Sequence, residues 1–329
     1  MKRLLILLTA VFMNVGVHDA QDPQLSQFYA APLYLSPSFS GSSNGSRVAL
    51  NYRDQWPSLP GSFVTYMVSA DHYFKEYNSG VGLMMMRDEA GGGKLNTTNI
   101  AAQYSYNLDL NRQYHFRPGI QFMYLQRSID YSKLQFNDQL SFDGVNPTTV
   151  ELPTDPQTAH FDFGVSLLFY SDKFWVGTTV DHLIKANPHL ADNDNYLPLK
   201  YSFYGGYNIP LARSFYKRDE QKITIATHLK MQARDKQLDL GGYYHKDKLM
   251  FGLWYRGLPV FNMEPFHDAI SVLFGYKFQD IRIGYSYDFT ISRMITSTGG
   301  AHEVSLIYEF NKGNRRMHQR LKPIPCPSF

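Results

Sequence analysis

The chain has 329 residues, 43% hydrophobic and 15% aromatic, with a mean hydropathy of −0.34. Its 32 Lys and Arg against 29 Asp and Glu give a formal charge of +3, which excludes the basic excess of a nucleic-acid binder. A single cysteine, Cys326, cannot close an internal disulfide, and past the N-terminus no apolar run approaches the roughly 18 residues of a helical membrane span.

Residues 1–20 read as a signal peptide. Met1-Lys2-Arg3 is the positive start, and Leu4 to Val17 is an apolar stretch too short for a comfortable membrane helix and interrupted by Asn14. The small residue Ala20 predicts cleavage between Ala20 and Gln21; no Cys follows, so a lipid anchor is not expected. Residues 21–45 are rich in Gln, Pro and Ser and too irregular for a strand. They are expected on the periplasmic side, as a plug in a lumen, a docking segment or an ordered lid.

From 46 to 310 the pattern changes to a beat of two. In Ile281-Arg282-Ile283-Gly284-Tyr285-Ser286-Tyr287-Asp288-Phe289-Thr290-Ile291 every odd position is apolar and every even one is polar or Gly. Alternation at this period puts the two sets on opposite faces of a strand. It predicts about 14 strands: 46–56, 62–74, 80–88, 95–108, 113–131, 158–171, 173–184, 198–209, 221–234, 237–246, 248–257, 267–278, 280–292 and 301–310. A soluble sandwich would bury the apolar set, yet the 24 Tyr and 23 Phe recur on that face and the other face carries many charges. Bulky side chains facing lipid around a polar lumen describe an all-β, transmembrane antiparallel β-barrel. Closure gives every backbone polar group a partner and removes exposed edges.

The connections agree with that fold. Short turns are expected after Phe74 and at Asn111–Gln113, Ser171–Lys173, His245–Lys248 and Gln279–Asp280, with Ala212–Glu220 the one longer case. Longer ones alternate with them at Tyr131–Gln157, Ala186–Leu197 and Pro259–Phe266, along with the glycine run Gly91–Gly93. Short turns are periplasmic in such barrels, and an even strand count then makes both termini periplasmic. Residues 311–329 form a basic tail with Lys312, Arg315, Arg316, Arg320 and Lys322, read as a solvated end or a periplasmic docking tail.

Three stretches before and within the first strand carry a resemblance. Gln21-Asp22-Pro23-Gln24-Leu25-Ser26-Gln27-Phe28 is followed by Ser36-Pro37-Ser38-Phe39-Ser40-Gly41 and then by Tyr52-Arg53-Asp54-Gln55-Trp56. This is similar to the PorP/SprF family of type IX secretion system membrane proteins, whose members open with QDPQ-S-Q-Y/F, NP-x-(Y/F)-x-G and Y-R-x-Q-W segments. Ser36-Pro37 stands where Asn-Pro is usual, and Phe28 and Phe39 where Tyr is common. The resemblance implies a barrel in the outer membrane of a Gram-negative, Bacteroidota-like bacterium, working with the type IX translocon. It implies a cognate secreted cargo or adhesin with a type B C-terminal signal domain, periplasmic lipoprotein or peptidoglycan-binding partners, and roles in surface anchoring and gliding motility. The residues carried over as partner-docking candidates are Asp22, Pro23, Gln24, Gln27, Phe28, Pro37, Arg53, Gln55 and Trp56.

The residues themselves also admit plainer roles. Arg53 and Gln55 alternate with Tyr52 and so face the lumen, where Arg53 is expected to pair with a carboxylate such as Asp288 or Asp162; Trp56 suits an interfacial aromatic girdle. Gly91-Gly92-Gly93-Lys94 lacks the spacing and the Ser or Thr of a phosphate loop, and Asp192-Asn193-Asp194-Asn195 lacks the Gly and Glu of a calcium loop. The histidines have no metal-ligand spacing and no GxSxG or HExxH element occurs, so neither a cofactor nor an enzyme is expected. A diffusion channel or solute transporter is the competing function, although large lumenal residues (Arg117, Arg127, Tyr170, Lys200, Tyr204, Lys230, Trp254, Arg256) suggest a partly filled pore.

Overall fold

The computed structural model describes residues 22–310 apart from 44, 93, 135, 142–143, 146–155, 185–195, 214–219, 234, 259–268 and 292–297. The signal peptide with Gln21, the basic tail with Cys326 and the run Asp192–Asn195 lie outside the described residues.

The wall is built of 14 long strands. In chain order they are β1 (Ser46–Gln55), β2 (Phe63–Phe74), β3 (Ser79–Ala90), β4 (Leu95–Tyr106), β5 (His115–Ile129), β6 (Gln157–Tyr170) and β7 (Phe174–Asp181). They continue as β8 (Lys200–Arg213), β9 (Glu220–Gln232), β10 (Asp235–Lys246), β11 (Leu249–Arg256), β12 (Ala269–Phe278), β13 (Ile281–Thr290) and β14 (Ala301–Phe310). Each pairs antiparallel with its sequence neighbours. The last strand returns to the first, from Ser46↔Phe310 to Gln55↔Ala301, and the sheet closes. No helix among the described residues is long and apolar enough to cross a membrane; the crossing is made by strands.

The period-two pattern sorts the side chains as expected. Leu50, Tyr66, Val68, Leu83, Met85, Ile120, Phe122, Phe251 and Leu253 are exposed on the outside. Asn51, Ser69, Gln103, Gln121, Ser166, Thr179, Ser271 and Ser305 are buried on the inside. Along β7–β11 the inner face also carries large rings, which fit because glycine stands beneath them. A Cβ on Gly206 would come within 2.3 Å of the Trp175 ring, and one on Gly241 equally close to Trp254.

All connections after even-numbered strands gather at one rim, together with Ser46 and Phe310; those after odd-numbered strands gather at the other. The first rim has the short turns. At the second, β5 ends well before β6 begins at Gln157 and β7 ends well before β8 begins at Lys200, though the short step from Gln232 to Asp235 also falls there. Two strand ends differ from the expected ones by three residues or more, the others by one or two at most. β7 stops at Asp181 rather than 184, because His182 adopts φ +63° and breaks the extended run. β8 continues to Arg213 past Pro210, where a bulge absorbs the proline.

Candidate functional site

Residues 22–43 do not lie beneath the barrel. They run through it as a strap, so of the expected arrangements the segment within the lumen is the one seen. Asp22 meets His182 and Lys200 at the long-connection rim, while the carbonyl of Gly45 meets the Tyr73 N–H near the short-turn rim, where β1 begins. The two ends of the strap therefore lie at opposite mouths. Between them it folds locally into a single helical turn, α1 (Pro32–Leu35), and a 3-10 turn (Pro37–Phe39). Pro32 and Pro37 each start a turn, where a missing N–H costs nothing. Ser36 caps the second through its side chain, accepting from the Ser38 N–H at 3.3 Å.

Ser26 and Gln27 occupy the most charged part of the lumen. Arg53 of β1 bonds Asp288 of β13 at 2.8 Å and Glu303 of β14 at 3.2 Å, and Arg256 of β11 reaches Asp288 at 2.9 Å. Two cations and two carboxylates balance, as buried charges must. The strap completes the set. The backbone N–H groups of Ser26 and Gln27 donate to Glu303 at 2.6 and 3.1 Å, and the Ser26 hydroxyl donates to Asp288 at 2.6 Å while accepting from both arginines. Every polar site of the Gln27 amide is used: it donates to the Ser286 hydroxyl and the Glu303 carbonyl and accepts from Ser305 and Tyr29. These partners come from β13, β14 and β1, so the dipeptide spans the junction of first and last strands.

The other candidates divide into three places. Gln24 joins the same network, accepting from Arg256 and donating to Gln237 at 2.9 Å, and Phe28 packs edge-on to Trp254 with centroids 4.5 Å apart. Pro23 is held by the Tyr34 hydroxyl, which donates to its carbonyl. Pro37 lies elsewhere in the lumen, against β5. A Cβ on Gly119 would sit 2.7 Å from its carbonyl carbon and 2.5 Å from the Ser38 nitrogen. Gln55 accepts from Arg53 at 3.2 Å, whereas Trp56 stands apart on the rim, edge-on to Phe63. Arg53 thus takes Asp288 but not Asp162, because Asp162 bonds His182 instead. Glu303, which binds the strap most directly, and Ser26, the strap residue it holds, were not among the candidates, nor were His182 and Lys200.

Lower in the lumen, wall groups read the strap's main chain. The Gln103 amide donates to the Leu33 carbonyl at 2.8 Å, Arg117 and the Ser105 hydroxyl donate to the Ser40 carbonyl, and the Gly41 N–H donates to Asp71 at 2.8 Å. Apolar contacts fill what remains. Tyr29, Ala30, Leu35 and Phe39 pack with Leu168, Trp175, Tyr204 and Tyr243, while Leu25, Ala31 and Leu33 meet Met67, Met84, Met86 and Met123.

At the long-connection mouth Asp22 closes the set. Its Oδ2 accepts from Lys200 at 2.8 Å and from His182 Nε2 at 3.1 Å, and His182 turns Nδ1 to Asp162. Burial alone would raise the pKa of the Asp22 carboxyl, but Lys200 and His182 more than reverse it and hold it well below the usual range. Burial alone would lower His182, beyond the end of β7; the carboxylates of Asp22 and Asp162 push it up to about 10.

The family model of the type IX secretion system membrane protein PorP/SprF matches residues 17–308. The chain belongs to the PorP/SprF family. As a PorP/SprF barrel it is an outer-membrane component of type IX secretion in a Gram-negative bacterium, and family and fold together point to a non-enzymatic role. No curated protein matches it. Among solved structures it is similar to the Acinetobacter baumannii outer membrane protein Omp33, at 8% identity and a TM-score of 0.44, over 82% of this chain and 100% of that one. It is also similar to the deltaS2S3 mutant of the monoaromatic hydrocarbon channel TodX (13%, 0.47, 85% and 94%) and to the KdgM porin (12%, 0.37, 80% and 99%). Of the motifs that mark PorP/SprF proteins, the one at 21–28 seats the strap on the charged network, and the one at 52–56 supplies Arg53 to it.

Proposed function

We propose that this barrel binds a cognate secreted protein, adhesin-like and bearing a type B C-terminal signal, for export or for attachment at the cell surface. The connections expected at 131–157 and 186–197 face outward and meet that cargo. The short-turn rim faces the periplasm, where lipoprotein or peptidoglycan-binding components of the apparatus dock. In this orientation, cleavage between Ala20 and Gln21 leaves Asp22 as the second residue of a strap whose leading end opens outward.

The observation that supports this reading over a diffusion channel is the occupied lumen: Ala30, Ala31, Gln27 and Ser38 of the strap have no solvent exposure at all. A barrel whose lumen is occupied by its own chain presents loops on a rigid body and leaves less room for solutes. Deleting the gene and following surface adhesins tests the proposal. At least one adhesin should be lost from the surface; unaltered display of every candidate overturns it.

A further inference from the structure

Most buried cations of the wall are matched by wall carboxylates: Arg47 by Asp71, Lys230 by Asp239, Arg282 by Glu309. Lys200 and His182 are arranged differently. Their nitrogens converge on one oxygen, Oδ2 of Asp22, at 2.8 and 3.1 Å, and that oxygen belongs to the strap. Asp181, directly across from Lys200 in the ladder, bonds Gln121 instead. The His182 side chain is only 4% exposed, and Asp162 fixes its ring so that Nε2 points into the mouth. Asp22 is the only charged residue between 22 and 46, and a quarter of its side chain remains exposed. Elsewhere the strap is held by the uncharged side chains of Gln24, Ser26 and Gln27 and by carbonyls and N–H groups of its main chain.

We propose that His182 and Lys200 form a carboxylate receptor at the long-connection mouth, that Asp22 is its resident ligand, and that an acidic segment of another polypeptide takes the same two donors when the leading end of the strap swings out. The site recognises a carboxylate on an extended chain. Charge-assisted donors on a single oxygen favour a carboxylate over an amide, whose carbonyl oxygen accepts but carries no negative charge. The inference goes beyond the secretion role, because capture of a peptide is read on the purified barrel with no translocon present.

The test uses the full chain in detergent and a fluorescent peptide copying residues 22–28, beside a second peptide with Asn in place of its Asp. Heat-modifiable migration on gels checks that each variant is folded. Asp22→Asn should bind the acidic peptide about tenfold more tightly than the unaltered chain does, the effect of roughly one charged contact. It should bind the Asn peptide no better than the unaltered chain does. Adding Lys200→Gln to Asp22→Asn should abolish the gain. A spin label at position 24 provides a second readout: its motion should increase in Asp22→Asn and fall again with the acidic peptide bound. Equal affinity for both peptides, or an Asp22→Asn barrel that gains no affinity, overturns the receptor and leaves Asp22 a fixed tie.

Discussion

Glu303 is the side chain on which the seating of the strap turns. It is fully buried, pairs with Arg53 and accepts two strap N–H groups. Glu303→Gln removes the charge but not the volume, leaving Arg53 partly uncompensated. Breaking a buried pair from one side costs roughly 3–5 kcal/mol, so urea unfolding in detergent should show a loss of that order, with Arg53→Met comparable. The link at Asp22 carries a pH signature. Its carboxyl is depressed from 3.8, so its contribution is present above that pH and lost below it; His182 is raised from 6.5 to about 10, so its contribution is complete below 6.5 and fades as pH climbs toward 10. Motion of a spin label at position 24 should therefore be least between about pH 4 and 6.5 and grow steadily above that. The position of Arg53 in the lumen was legible from its alternation with Tyr52, and Asp288 was one of its expected partners. Glu303 was not, although closure sets it directly across from Arg53. Only the register of the closing pair identifies it, and alternation within a strand does not carry register between strands.

The strap is the element that the sequence hid. Its composition marked residues 21–45 as neither strand nor linker, but the path depends on contacts with distant strands such as β5, β6 and β14, which no local pattern encodes. Two glycines make room for it. A Cβ at Gly80 would fall 1.9 Å from the Ser40 carbonyl oxygen, and one at Gly119 would fall 2.5 Å from the Ser38 nitrogen. Gly80→Val and Gly119→Val should each destabilise by about 1–3 kcal/mol and raise protease sensitivity within residues 22–43; resistance equal to that of the unaltered chain would argue against close seating. Deleting 22–43 should convert a silent barrel into a conducting one in planar bilayers. A steady porin-sized current from the intact chain would instead favour a channel. Phe28→Ala, which empties the space beside Trp254, should lie between these extremes, loosening the leading half of the strap at a cost of about 3 kcal/mol.

For the molecule as a whole, the wall was legible almost strand for strand. A two-residue beat is a property of sequence alone, and both the lipid and the lumen select it along every strand. The exceptions follow from single residues: His182 with its positive φ ends β7 early, and the bulge at Pro210 prolongs β8. The antiparallel closure of β14 onto β1 predicts a purified chain that needs detergent and migrates faster on gels before boiling than after. Stability should also depend on the strap, since Ser26 and Gln27 tie β13, β14 and β1 together.

A cord drawn through a bead implies an order of manufacture. The strap makes one pass from mouth to mouth, packed with Trp254 and Tyr204 and bonded to Arg117. A ring that shuts around a cord already in place accounts for this seating. A compact folded domain fused ahead of Asp22 should finish at the long-connection mouth or hold the ring ajar. Finding it at the opposite mouth of an intact cylinder would mean the cord runs the other way.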